Sequence, residues 1–186
     1  MSTLFVNNLN TASGSTITIP TGKKLIGTDI GSIAGKGNVI QQVNSTDNGT
    51  ANRPYQSSSS TSFTHLSNFD LTITPSSTSS KILYIGSFNL YGNSSGYAYI
   101  AIYRHVAGGS AVYLPTNASF GHVAITTTTY MQCPVVLVDS PNTTSAVTYK
   151  VYVKSHNGSG AVYVGWTQSG TPNDNCTSYA ALEIAQ

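Results

Sequence analysis

Apolar and polar residues alternate with a period of two along much of this chain, most clearly between residues 147 and 154. The aliphatic-rich parity comprises Val147, Tyr149, Val151 and Val153, and the polar parity comprises Thr148, Lys150, Tyr152 and Lys154. Successive side chains of a strand point to opposite faces of its sheet. The segment is therefore predicted to be a strand with one face in the core. The turn-forming run at 140–145, just before it, predicts an antiparallel hairpin or a corner.

Similar segments recur through residues 38–186, at a spacing of roughly ten residues, which is typical of all-β domains. Phe63–Leu66 and Phe69–Thr74 are predicted as two strands, and Lys81–Leu90 has apolar residues on both parities. Lys81–Leu90 is therefore predicted to be a central strand, covered on both sides or packed on one side against another chain. Glycines at 108–109 and 158–160 predict hairpin turns. The fold class predicted is an all-β antiparallel β-sandwich, with the jelly roll as the leading layout.

Residues 1–37 have a different pattern, in which short apolar groups are separated by Gly, Ser, Thr and Asn. Segments this short cannot form a buried core by themselves, and the frequent glycines disfavour a helix. We interpret 1–37 as an extended N-terminal stem for attachment, with a disordered tail as the alternative. The sandwich domain is then 38–186. The predicted attachment residues are Leu4, Val6, Leu9, Ile17 and Ile19.

Charge is scarce: 8% of residues are charged and the net charge is +2, whereas soluble domains average about 25% charged residues. The basic residues are scattered, which argues against nucleic-acid binding. No apolar run approaches the roughly 18 residues that span a bilayer, so membrane insertion is not expected. The N-terminus MSTLFVNN lacks the features of a signal peptide. Cys133 and Cys176 are predicted to be buried thiols, with a single bridge as the alternative.

Catalytic and metal-binding patterns are absent from the sequence. The four histidines have no metal-ligand spacing, and no nucleophile or phosphate-binding motif occurs. The carboxylates are expected to cap turns or to face solvent. They are Asp29, Asp47, Asp70, Asp139, Asp174 and Glu183. We therefore expect no enzymatic activity, no metal and no cofactor.

Aromatic residues are the strongest indication of a contact surface, because the chain has 12 Tyr and one Trp but little charge. They concentrate around the turns near residues 91–113 and 152–166, where they would suit stacking against sugar rings. Strand propensity or a chain–chain interface would explain them equally well. The predicted ligand-binding residues are Tyr91, Tyr97, Tyr113, Tyr163 and Trp166.

Several strings resemble a known family. They are LTITPSSTSSKIL at Leu71–Leu83, Tyr103-Arg104 after an alternating strand, DSPNTTSAVTYKV at Asp139–Val151, the ending Leu182–Ala185, the opening MSTLFVNN, and GNVIQQV at Gly37–Val43. Together they resemble short virion proteins of marine tailed phages. The resemblance covers most of the chain, and its motifs are structural rather than catalytic.

The resemblance implies a fibre, spike or decoration protein located in the virion, with a C-terminal knob similar to the trimeric C1q/TNF-like heads. Expected partners are two further copies of the chain, other virion proteins bound through the stem, and a host surface glycan or protein bound by the knob. One alternative is a capsid or tail decoration protein that stabilises the particle without binding a receptor. A second alternative is a free carbohydrate-binding module.

Overall fold

The structure is a computed structural model that describes residues 21, 36–45, 56–92, 96–107, 109–114, 122–125, 130–165 and 177–186. Within these ranges the regular structure consists of strands. They are β1 (Val39–Asn44), β2 (Gln56–Ser58), β3 (Thr64–Ile73), β4 (Lys81–Gly92), β5 (Gly96–Val106), β6 (Val112–Leu114), β7 (His122–Ile125), β8 (Tyr130–Asp139), β9 (Val147–Ser155), β10 (Val162–Val164) and β11 (Ser178–Ile184).

The strands form two antiparallel sheets that face each other as a sandwich. Sheet A has the order β1-β11-β4-β10-β2, with β8 paired to the other edge of β4. Sheet B has the order β3-β9-β5-β6, with β7 also paired to β5. Without the three-residue strands β2, β6 and β10, the orders are β1-β11-β4-β8 and β3-β9-β5-β7. This is the strand order of a jelly roll, so the predicted fold class is confirmed.

The core lies between the two sheets and is built from the inward parity of each strand. Val147, Tyr149, Val151 and Val153 of β9 are all fully buried, which confirms the predicted core face of that strand. Aromatic rings join the sheets across the core. The ring centroids of Tyr84 and Tyr149 are 5.5 Å apart, and those of Phe69 and Phe88 are 6.3 Å apart in an edge-on arrangement.

Strand β3 combines the two predicted strands Phe63–Leu66 and Phe69–Thr74 into one element. Its pairing with β9 is irregular between Leu66 and Leu71. At an irregularity of this kind one strand has extra residues, so side chains of opposite parity before and after it can point to the same face. Leu66 and Phe69 can therefore both lie in the core despite their opposite parities, and both are fully buried.

The turn run at 140–145 forms a corner, because β8 belongs to sheet A and β9 belongs to sheet B. Asn142 adopts a positive φ of 54° there, a conformation that Asn tolerates better than most residues. The predicted hairpin at 158–160 is wrong, because β9 and the following β10 lie in different sheets. The antiparallel pairing of β5 with β6 confirms the predicted hairpin between these strands, and Gly108 of its turn lies outside the described residues.

The chain enters sheet A at Gly37, whose N–H donates to the carbonyl of Ala185 at 2.7 Å. The predicted attachment residues Leu4, Val6, Leu9, Ile17 and Ile19 lie outside the described residues, so the stem stays a prediction. Cys133 is a buried free thiol whose pKa is raised by burial. Its predicted alternative partner, Cys176, lies outside the described residues. Among the described residues, no helix is long and apolar enough to cross a membrane.

Candidate functional site

The predicted ligand-binding tyrosines lie on both sheets and do not form one site. Tyr97 belongs to β5 of sheet B and Tyr113 to its neighbour β6. Tyr91 and Tyr163 pair across β4 and β10 of sheet A, with ring centroids 5.6 Å apart. Tyr130 of β8 stacks on the other side of Tyr91 at 4.9 Å. Trp166, the fifth predicted residue, lies outside the described residues.

The largest aromatic group covers the outer face of sheet B, and we call it the aromatic platform. It arises because the outward parity of β5 and β9 carries rings, to which β3, β6 and the residue before β3 add others. Its members are Phe63, His65, Tyr99, Tyr103, Tyr113, Tyr152 and Lys154. Each is half-buried, so part of every side chain remains in contact with water.

Tyr103 is the centre of the aromatic platform. Its ring centroid lies 4.1 Å from that of Tyr152, 5.1 Å from that of Tyr113 and 6.3 Å from that of Phe63. Ala101 is paired opposite Tyr152 in the sheet and is fully buried. The small alanine leaves space for the larger rings around it to approach one another. The pKa of Tyr152 is raised by burial and by the neighbouring Tyr103 and Asp70, so its hydroxyl is protonated at neutral pH.

Polar and basic groups border these rings. The His65 ring stacks on Tyr152 at 5.1 Å, and its Nε2 lies 2.6 Å from Asp70 Oδ1. Lys154 Nζ lies 4.9 Å from the ring centroid of Phe63 and 4.6 Å from that of Tyr99. Two cation–π contacts hold the ammonium over aromatic carbon. The platform therefore combines ring surfaces with hydrogen-bonding groups and a positive charge, a combination suited to binding a polar ligand.

A second surface lies on the outer face of sheet A, and it is apolar. Leu83 is flanked in the sheet by Leu182 and Val138, and the next row places Ile85 between Ala180 and Val136. We call these six residues the apolar stripe. Val136 and Val138 are each 64% exposed and Ile85 is 38% exposed. A shallow groove of about 350 Å³ borders Ile85, Val136 and Ala180.

Among the described carboxylates, Asp139 is one of two that were wrongly predicted to cap turns or face solvent, because it is buried. It ends β8 at the corner between the sheets. Its Oδ1 accepts a hydrogen bond from Arg104 Nη1 of β5 at 2.8 Å, and its Oδ2 accepts one from the Tyr149 hydroxyl of β9 at 2.8 Å. The pKa of Tyr149 is raised by burial and by the charge of Asp139, so the phenol stays protonated and donates. Asp139 thus fastens sheet A to sheet B.

Glu183 is the other misplaced carboxylate, and it is fully buried near the turn that joins β3 to β4. The backbone N–H and the hydroxyl of Ser76 each donate to Glu183 Oε1 at 2.7 Å, and Gln41 Nε2 donates to Oε2. Burial raises the pKa of Glu183, but hydrogen bonds from Ser80, Gln41 and Ser76 outweigh burial and hold the pKa below its ordinary value of 4.5. The carboxylate therefore joins β1, β11 and the turn.

Replacing Glu183 by glutamine is expected to lower the free energy of unfolding at pH 7 by about 1.5–3 kcal/mol, since its neighbours donate to a charged acceptor. A carboxylate with a lowered folded-state pKa stabilises the protein fully above its unfolded pKa, and this contribution is lost as the pH falls through the folded-state pKa. The deficit of Glu183→Gln relative to wild type should therefore shrink below about pH 4.5. Urea denaturation at pH 7, 4 and 3 measures it.

Asp70→Asn is the control for the Glu183 prediction, since Asp70 lies at the surface with a single His65 contact. Exposed pairs of this kind contribute about 0–1 kcal/mol. A deficit of Glu183→Gln that stays constant between pH 7 and pH 3 would show that the charge of Glu183 has no part in stability.

Among the residues that the structure describes, no three His, Cys, Asp or Glu side chains come together closely enough to hold a metal ion. His65 and His156 instead contact aromatic rings. His156 Nδ1 lies 3.1 Å from the Tyr99 hydroxyl, and its ring lies 5.4 Å from that of Tyr97. These contacts extend the polar border of the aromatic platform, which already contains the predicted residue Tyr113, toward the predicted residue Tyr97.

No protein-family model matches this chain, and no curated protein matches its sequence. Solved structures to which the chain is similar include infectious bursal disease virus, Gt strain, at 15% identity and a TM-score of 0.45, over 88% of this chain and 43% of that chain. The VP2 subviral particle of the same virus has 14% identity and a TM-score of 0.43, over 88% and 42%. The chain thus spans less than half the length of these structures.

Proposed function

We propose that this chain is a structural protein of a phage virion and that residues 38–186 form a homotrimeric knob. The observation that carries the proposal is the apolar stripe. Valine and isoleucine side chains in adjacent rows of one sheet face, with no charged residue among the six, are typical of a surface that another protein covers. The resemblance of the sequence to short phage virion proteins supports the virion as the place where this occurs.

A second copy of the same chain fits the apolar stripe better than a hydrophilic partner would. Closed symmetry lets each copy bury an identical surface and leaves none exposed. The number three comes from the resemblance to C1q/TNF-like heads. Residues 1–37, with Leu4, Val6, Leu9, Ile17 and Ile19, would then attach the trimer to other virion proteins.

Purified particles labelled with an antibody against residues 38–186 would test the virion assignment by electron microscopy. The proposal predicts label at defined positions on intact particles, together with the chain in mass spectra of the washed virions. Label confined to the unassembled fraction of the lysate would contradict it.

We further propose that the knob binds the host surface, because the aromatic platform presents rings and polar groups on the sheet opposite the apolar stripe. The alternative is a decoration protein that stabilises the particle. Particles lacking the knob distinguish the two: loss of adsorption with intact particles indicates adhesion, whereas particles that break at lower temperature indicate decoration. The second alternative, a free carbohydrate-binding module, would also bind sugars through the platform, but the chain would then be a monomer.

A further inference from the structure

The aromatic platform combines closely packed rings with two lysine ammonium groups. We propose that it is the receptor site of the knob and that it binds acidic glycans, meaning oligosaccharides with carboxylate or sulfate groups. This inference rests on the adhesive role proposed above and adds the place and the ligand class.

The rings around Tyr103 offer a surface on which a sugar can stack. Sugar rings have one apolar face of C–H groups, which packs against aromatic carbon, while their hydroxyls need donors and acceptors at the border. Tyr103, Tyr113 and Phe63 lie within 6.3 Å of one another, so their ring surfaces are continuous. The hydroxyl of Tyr152, which is protonated at neutral pH, can both donate and accept.

The outward-facing side chains of β9 place positive charge beside these rings. Lys150 is paired in the sheet with Tyr103, and Lys154 is paired with Tyr99. Neither lysine forms an ion pair with a described residue. The carboxylate of Asp70, on β3, lies 2.6 Å from Nε2 of His65. The excess of positive charge therefore lies beside the central rings, where it would pair with an anionic group of a stacked sugar.

Lys154 has the more constrained of the two ammonium groups. It lies over both Phe63 and Tyr99, at 4.9 and 4.6 Å from their centroids. An ammonium held over aromatic carbon loses part of its hydration, and it remains able to donate hydrogen bonds to an anion. The position thus places a fixed positive charge within the ring surface, which a neutral glycan would not use. Charge selectivity should consequently depend on Lys154.

Binding of the full chain to a glycan array tests the proposal. The array carries oligogalacturonates, sialylated oligosaccharides, sulfated oligosaccharides and their neutral counterparts. We expect the acidic glycans to bind and the neutral counterparts to bind at least about tenfold more weakly, the difference that one charge-assisted hydrogen bond provides. Equal binding of neutral and acidic glycans, or no binding to any glycan, would overturn the proposal.

Two variants connect binding to the platform. Lys154→Gln removes the charge but keeps a polar, hydrogen-bonding side chain that is slightly shorter, and it should weaken binding to the acidic glycans by about tenfold or more. Lys36→Gln removes one positive charge from an exposed residue outside sheet B and should leave binding unchanged. Equal loss in both variants would mean that only net charge matters, which contradicts a site. Thermal melting of each variant verifies that the fold is retained.

Adsorption to host cells distinguishes failure of the glycan site from failure of the adhesive role. If the knob adsorbs to cells but Lys154→Gln adsorbs as well as wild type, or if protease rather than glycosidase treatment of the cells abolishes adsorption, the receptor is bound elsewhere or is a protein. The adhesive role then stands and the glycan proposal fails. If the knob does not adsorb to host cells at all, the adhesive role itself fails.

Discussion

Replacing Asp139 by alanine is expected to lower the free energy of unfolding by about 3–5 kcal/mol, the cost of leaving a buried charge without its partner. Arg104 would keep its guanidinium in a largely buried position, with the Ser140 carbonyl as its remaining described acceptor at 3.2 Å. The Tyr149 hydroxyl would lose its acceptor as well. For a chain of this length, such a change lowers the melting temperature by roughly 6–20 °C. Differential scanning calorimetry and urea denaturation at a fixed chain concentration measure both quantities.

Two further variants, Asp139→Asn and Asp70→Ala, are compared with Asp139→Ala. The asparagine keeps the shape of Asp139 and one oxygen for Tyr149 or Arg104, so its effect should lie between those of wild type and Asp139→Ala. Asp70 has a partly exposed contact with His65, and its loss should cost no more than about 1 kcal/mol. Equal effects of Asp139→Ala and Asp70→Ala would show that the corner does not depend on the buried carboxylate.

Replacing Val136 by aspartate is expected to convert the proposed trimer into single chains. Val136 is 64% exposed in the isolated chain, so a carboxylate there is hydrated and the fold should persist. In the proposed trimer the same carboxylate would be buried in each copy against apolar residues, at a cost of several kcal/mol per chain. Sedimentation equilibrium of Val136→Asp at micromolar concentration should give the mass of a single chain. Its circular dichroism spectrum should show the same β-sheet content as the wild type.

Val112→Asp is the matched control for Val136→Asp. Val112 is also an exposed valine in a strand, but it lies in β6 of sheet B. The same chemical change there should leave the mass of the wild-type assembly unchanged. If Val136→Asp retained the wild-type mass, the apolar stripe would not be the interface between copies.

The sandwich could be predicted because strand periodicity is a local property. The alternation from Val147 to Lys154 requires no knowledge of neighbouring strands, and its inward residues are buried as expected. The connections between strands were predicted less well. The glycines near 109 and near 158 look alike as turn formers, yet the first turn returns the chain to the same sheet and the second passes it to the other. The choice depends on which partner strands are available.

The two surfaces were only partly visible in the sequence for the same reason. The concentration of tyrosines indicated a contact surface, but strand pairing decides that Tyr152 lies beside Tyr103 and that Tyr91 lies on the other sheet. Burial of Glu183 also depends on tertiary partners. Its parity matched that of Tyr179 and Ala181, and this local signal would have placed it inward. Glu183 accepts hydrogen bonds from Ser76 and Gln41, which are separated from it by most of the chain length.

The mass of the assembled chain tests the central claim, that the apolar stripe joins three copies into a knob. Sedimentation equilibrium or native mass spectrometry of the full chain, over a range of micromolar concentrations, measures it directly. A homotrimer predicts three times the chain mass of 19.5 kDa, independent of concentration in this range. A stable particle of a single chain mass, with a folded sandwich and the apolar stripe in contact with water, would contradict the claim.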